Sequence, residues 1–235
     1  MGPPETKFVS RSRVPALRQL VSYGTAAHFL VDRHGLQPTR DTPMDAAELT
    51  QNVLMYFVLP LWLAAGFADY LCHRAAHIET TSGAKESLLH LLQFGEMAVA
   101  VLAAMFLEIN AFVLLVMLIC FFLHEATALW DVHYAVETRE VTPLEQHVHS
   151  FLEMMPLMGL VLIAALNWQQ FVALFGLGNE SARFDVTIRQ GPPSWAYVAV
   201  VLTLVLLFEV LPYLEELVRG LRANRGGLVP KNRRH

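Results

Sequence analysis

Five stretches of the chain, near residues 50–76, 84–108, 110–135, 143–175 and 195–222, stay apolar for the roughly 20 residues that a bilayer core demands of a helix. Inside a bilayer no water is available to satisfy backbone N–H and C=O groups, so such stretches fold as helices that satisfy their own. The expected architecture is therefore an all-α integral membrane bundle of five transmembrane helices over residues 49–222. An amphipathic, interfacial segment at 1–48 precedes it and a basic, disordered tail at 223–235 follows. Within the first segment residues 14–36 have helical character, but Arg18, Asp32 and Arg33 argue that they lie on the interface rather than span it. Composition agrees: only 16% of residues are charged, against about 25% in soluble domains, and mean hydropathy is +0.41.

Local signals place the helix ends. The second and third apolar stretches meet at "LEIN", a tight turn with Asn110 as N-cap of the next helix. At "ETREVTPLE", Thr142 is the expected N-cap, Pro143 the first helical residue and Glu145 the returning carboxylate of a capping box. The fourth stretch is too long for one straight span, which predicts tilt or an extension beyond the bilayer, with Pro156 as a site for a kink. The run "GLGNESARFDVTIRQGPPS" reads as a loop. Cys72 and Cys120 fall in or beside apolar stretches and form no CxxC pair and no disulfide framework. A net charge of −4 offers nothing to nucleic acid.

Against this apolar background the ionisable residues are not scattered. Seven of the ten histidines lie between His73 and His149, together with many of the acids. The first span ends in "DYLCHRAAH", where Asp69, His73 and His77 are each four residues apart and stack on one helical face. The second begins with Glu86 and His90, the third ends with His124, Glu125, Asp131, His133 and Glu137, and the fourth begins with Glu145, His147, His149 and Glu153. Successive helices alternate direction, so all four groups reach the same membrane surface. Arg74, Lys85, Arg139, Arg219, Arg222 and Arg225 lie near that surface, against Arg33, Arg40, Arg183 and Arg189 near the other. The positive-inside rule then makes the histidine-rich surface the cytoplasmic one.

Each of these residues has a plain structural explanation when taken alone. A single histidine at a helix end is ordinarily solvated, Glu145 caps a helix, Glu79, Glu86 and Glu137 suit the headgroup region, and Arg139 obeys the topology rule. Their coincidence does not. An ionisable group within a span costs about 2.5–3.5 kcal/mol on insertion scales unless paired or bound, and imidazole with carboxylate is a ligand set for iron, zinc or manganese. The sequence therefore predicts a metal centre with His73, His77, His90, His124, Asp131, Glu145 and His149 as leading ligands. Asp69, Glu86 and His133 are further ligands or acids that orient imidazoles, and Glu125 and Glu153 are catalytic acid–base candidates. Asp131 and His133 lie about 200° apart on a straight helix, as do His147 and His149, so one of each pair faces away. Glu209, in mid-span within "LLFEVLP", requires a buried partner.

"HRAAH" at 73–77 resembles the first HxxxH box of the membrane-bound histidine-rich di-iron enzymes, the fatty acid desaturases, hydroxylases and alkane monooxygenases. "HVH" at 147–149 matches their later boxes only in part, and HxxHH does not occur. The carboxylates also resemble those of ferritin-like di-iron proteins, with ExxxH here in place of ExxH. The first resemblance implies two iron ions activating oxygen at the cytoplasmic face, a lipid-like substrate drawn from the bilayer, and a separate electron donor. Other readings of the same residues are a zinc-dependent intramembrane hydrolase, a metal or proton transporter, a metal-binding assembly factor, and a haem protein.

Overall fold

The structure, a computed structural model, describes Gly2 and residues 45–230. The expected interfacial helix at 14–36 and the last five residues of the basic tail lie outside the described residues. Among the described residues, five helices are long and apolar enough to cross a membrane: α1 (Ala46–Ala75), α2 (Ala84–Phe106), α3 (Ala111–Thr138), α4 (Pro143–Leu166) and α6 (Trp195–Ala223). The fourth apolar stretch is broken after Leu166 into α4 and a short helix, α5 (Trp168–Leu174). Asn167 makes the break, leaving helical geometry and donating from its side-chain amide to the Ile163 carbonyl at 2.9 Å. Pro156 lies within α4, and the helix runs on through it.

The helix starts follow the local chemistry. Asn110 accepts from the backbone N–H of Val113 at 3.1 Å, and Thr142 accepts from that of Glu145 at 3.2 Å. The Glu145 side chain does not complete the capping box, because Arg139 takes its carboxylate. Two prolines, Pro60 and Pro212, follow widened π-helical turns at Leu54–Val58 and Leu206–Val210. Proline has no N–H to return to the preceding turn and its ring crowds that turn's carbonyl, which the wider turn accommodates. In α1 the carbonyl that Pro60 leaves free, that of Met55, accepts from the Tyr197 hydroxyl at 2.8 Å.

The spanning helices form a closed ring in the order α6, α1, α4, α3, α2 and back to α6. Around the histidine-rich end the ring is tight. Gly220 lets the backbone of α6 lie directly on the first turn of α2 at Ala84, where a side chain would collide. Tyr134 donates to the Ser82 carbonyl at 2.6 Å. Residues 224–230, read from composition as unstructured tail, fold back on the α1–α2 connection. The Lys85 N–H donates to the Leu228 carbonyl at 3.0 Å, and the Asn224 amide to that of Glu79 at 2.9 Å. At the opposite end, residues 183–189 clamp the α2–α3 turn through backbone bonds to Phe106, Glu108 and Phe112.

Candidate metal centre

Buried charge concentrates where α1, α2, α3, α4 and α6 converge at the histidine-rich end. Asp69, His73, Glu86, His90, Asp131, Glu145 and Glu216 are all buried, and His149 is nearly so. His73 is at the middle. Its Nε2 lies 3.3 Å from Asp69 Oδ2, 3.5 Å from Glu145 Oε1 and 3.9 Å from Glu86 Oε1, while its Nδ1 meets Glu216 Oε2 at 3.2 Å. His149 Nε2 approaches the other oxygen of Asp69 at 3.1 Å. His90 stacks on His73 with ring centres 4.4 Å apart; its Nε2 faces Asp131 at 2.8 Å and its Nδ1 faces Glu216 at 3.5 Å.

Much of this contact is not hydrogen bonding. Asp69 Oδ1, His73 Nε2 and His149 Nε2 are buried without a hydrogen-bond partner, as are His90 Nδ1, Asp131 Oδ1 and Glu216 Oε1. Buried polar atoms left unpaired cost free energy that a folded protein rarely carries without compensation. The spacing identifies a compensation. Two donors each about 2.1 Å from one ion, at angles between octahedral and tetrahedral, lie about 3.0–3.4 Å apart. His73 Nε2 falls in that interval from Asp69 Oδ2 and His149 Nε2 from Asp69 Oδ1, so each oxygen of Asp69 faces one imidazole, and His73–Glu145 lies at its edge. Three overlapping groups meet the spatial requirement of a metal site: Asp69, His73, His90 and His149; His73, Glu86 and Glu145; and Glu86, His90 and Asp131.

Among the described residues, Arg139 is the one fixed cation in the cluster. Its guanidinium, only 2% exposed, bridges Glu86 and Glu145 through bonds of 2.6 Å to Glu86 and 3.0 Å to Glu145, and a further close contact with Glu145. Burial opposes its charge, but the hydrogen bonds to Glu145 and Glu86 outweigh burial and raise its pKa above the ordinary value. Counted at formal charge, the five buried carboxyl groups of Asp69, Glu86, Asp131, Glu145 and Glu216 exceed this one guanidinium by four. Protonating all three imidazoles would still leave an excess of one.

Several sequence expectations are corrected. His77 does not join the cluster: α1 ends at Ala75, His77 takes a left-handed φ of 51°, and its ring turns out to solvent against Glu79 at 3.3 Å. His133 also lies outside, 73% exposed and paired with Glu137 at 3.3 Å, because Asp131, two residues earlier, takes the inner face. His124 is buried and lines the adjoining cavity but belongs to none of the three groups. Glu153 lines that cavity beside His149; Glu125 lies within electrostatic reach of Glu153 but does not line it. Arg139, read as a topology charge, is the cluster's internal counter-ion. Glu216 was missed, although its distance of seven residues from Glu209 puts both on one face of α6.

The charged cluster closes one end of a cavity of about 550 Å³ at the centre of the ring. Asp69, His90, Asp131, His149 and Tyr213 form its polar end, and Leu59, Trp62, Met105 and Val201 its apolar end. On α1 alone, Leu59 to Asp69 corresponds to about 15 Å of helix. A smaller cavity of about 160 Å³ shares Val132, His149 and Glu153 with the first and is otherwise lined by Ala135, Val136, Val141, Gln146 and Ser150. The chain matches no protein-family model, no curated protein and no solved structure.

Proposed function

We propose that this membrane-spanning protein is a metalloenzyme of the di-iron oxidoreductase type, hydroxylating or desaturating a lipid-like substrate at its cytoplasmic face. The observation that carries the reading is the set of unpaired, buried donor atoms of Asp69, His73 and His149 at ligand spacing, at the closed end of an apolar cavity. A formal excess of four negative charges matches two divalent ions bound by neutral imidazoles. Bound iron would supply oxygen activation, with electrons from a separate donor.

The chain's own residues account for the rest. Asp69, His73, Glu145 and His149 present the donor atoms. Glu216 and Asp131 hold the His73 and His90 rings from behind, fixing which nitrogen faces the centre. The apolar walls exclude water and align an apolar chain with its reacting carbon beside the donors. Glu153 and His149 line both the main cavity and the smaller one, and a carboxyl at that junction can carry protons between them. The wholly apolar far end of the main cavity counts against a transport path, which would need polar groups along its length.

One observation favours a second reading. Arg139 already engages Glu86 and Glu145, so Asp69, His73 and His149 remain as a three-donor face, the arrangement of a catalytic zinc with an open fourth position. Elemental analysis of protein purified from cells supplied with both metals separates the two. Two irons per chain, with oxygen uptake on added membrane lipid, supports the oxidoreductase; one zinc replaces it with the hydrolase; no metal after attempted reconstitution refutes both.

A further inference from the structure

Glu209 stands apart from the metal cluster and is unused by the reading above. It lies in the widened turn of α6 that precedes Pro212, is 6% exposed, and lines the main cavity. Its carboxyl packs against Gly66 of α1, where any side chain would collide with it. Its Oε1 is buried without a hydrogen-bond partner, and no cationic side chain is ion-paired with it among the described residues. Gly66 is three residues before Asp69 on α1, so the Glu209 carboxyl sits about 4.5 Å deeper in the membrane than the cluster. It lies at the junction of the charged end and the apolar slot, near the Tyr213 hydroxyl, which is already committed to the Gly66 carbonyl at 3.0 Å.

The slot also has a mouth. Leu102 of α2 and Leu202 and Leu206 of α6 line the cavity and are 44%, 50% and 48% exposed. A residue that both lines a cavity and meets the surface stands at its rim, and all three belong to the same pair of helices. The lower part of α6, Leu211–Ala223, packs on α2, and Trp195 meets Phe106 at the top. Between these contacts the two helices leave a lateral window facing the bilayer core.

From this we infer that the cavity binds a single-chain lipid alcohol, admitted from the bilayer between α2 and α6, with its tail in the apolar slot and its hydroxyl hydrogen-bonded to Glu209. A volume of about 550 Å³ falls within the roughly 300–1,000 Å³ of sites that hold one small molecule, which fits one chain better than a two-chain phospholipid. A hydroxyl both donates and accepts, so it satisfies the carboxyl in either protonation state. A carboxylate or phosphate head would bring further negative charge beside Asp69. The site so defined holds the hydroxyl-bearing carbon next to the cluster. The inference rests on the cavity and Glu209, and not on the identity or presence of a metal.

The test is retention of hexadecanol, hexadecane, hexadecyl methyl ether and hexadecylamine by the full-length protein in detergent, followed by native mass spectrometry, with metal content measured on the same samples. Wild type should retain hexadecanol about tenfold more strongly than hexadecane or the ether, the effect of one buried hydrogen bond to an ionisable group. Glu209→Gln, which still donates and accepts, should keep the preference. Glu209→Leu should abolish it while melting temperature and metal content hold. Leu206→Trp should slow uptake of every chain by narrowing the window. Equal retention of alcohol and alkane by wild type, a preference surviving in Glu209→Leu, or stronger retention of the amine overturns the inference. A metal-free protein that prefers hexadecanol through Glu209 keeps this inference and sinks the metalloenzyme reading; a metal-loaded protein that does not discriminate does the reverse.

Discussion

Replacing Arg139 by leucine removes the only guanidinium that the described residues place inside the cluster and leaves the Glu86 and Glu145 carboxylates buried side by side. Both acids are essentially inaccessible, so water cannot take over the lost bonds. Breaking a buried pair by deleting one partner costs about 3–5 kcal/mol, and here one cation serves two acids. For a chain of this size that corresponds to a fall of roughly 10 °C in melting temperature. The effect is to be read on chelator-treated protein in detergent, because a bound cation would itself neutralise the acids and shrink the loss. Adding Glu86→Gln and Glu145→Gln to Arg139→Leu should recover most of the loss, since the repulsive pair becomes two amides of the same shape. The pH dependence has a definite sign. The folded pKa of Arg139 is raised, so its contribution is fully present below its ordinary pKa and is lost only at still higher pH. Across neutral pH the penalty of Arg139→Leu should therefore show no trace of arginine titration. A chelated Arg139→Leu protein that melts with wild type would refute the assignment of Arg139 as internal counter-ion.

Three further outcomes follow from the same geometry. His73→Ala and His149→Ala should each lose bound metal while the protein still inserts, whereas His77→Ala and His133→Ala should retain it; elemental analysis of the four variants decides. Glu216→Gln should weaken metal retention by about 10–100-fold, as loss of a ligand-orienting carboxylate does, measured by competition with a chelator of known affinity. Gly66→Ala pushes on the movable end of the Glu209 side chain. It should lower stability by about 1–3 kcal/mol yet reduce the hexadecanol preference, a combination that a purely structural Glu209 would not produce.

The fold was legible because its determinants are local. Five apolar lengths, an asparagine and a threonine at helix starts, and a Thr-Ser-Gly-containing run after His77 carry the architecture within windows of a few turns. The inward histidines were legible to the extent that helical periodicity extends. Asp69 and His73 share a face because α1 continues between them, and the same rule failed at His77 because α1 stops two residues earlier. Periodicity also stated that only one of Asp131 and His133 points inward, but not which; packing of α3 on α2, which puts Asp131 against His90 and Gln93, decides it. Arg139 was not legible, and Glu216 only through its register with Glu209. Glu216 stands among the charges that end α6, beside Glu215, Arg219 and Arg222, and Arg139 lies in a short connection. The role of Glu216 depends on His73, 143 positions away, and that of Arg139 on joining Glu145 to Glu86, 53 positions away.

The two ends of the ring are built for opposite tasks, and this ties the cluster to the cavity. At the histidine-rich end, close packing at Gly220, the Tyr134–Ser82 bond and the refolded 224–230 segment leave the helices little freedom to separate. That rigidity is what a constellation of mutually repelling carboxylates requires, because any spreading would relieve repulsion at the expense of ligand geometry. Farther along, α2 and α6 part between their lower contact and the Phe106–Trp195 pair, and the lining becomes aliphatic. The aliphatic walls repack at little cost, so that half can open and close on a chain without disturbing the donors. Glu209 lies at the boundary, in a turn whose backbone is already widened by Pro212. If the division holds, hydrogen exchange should be slow at 84–90 and 213–220 in the metal-free protein and faster at 98–105 and 198–206, with added hexadecanol protecting only the second pair. Protection spread evenly over both pairs would mean that the ring moves as one body and that the cavity is a fixed packing defect.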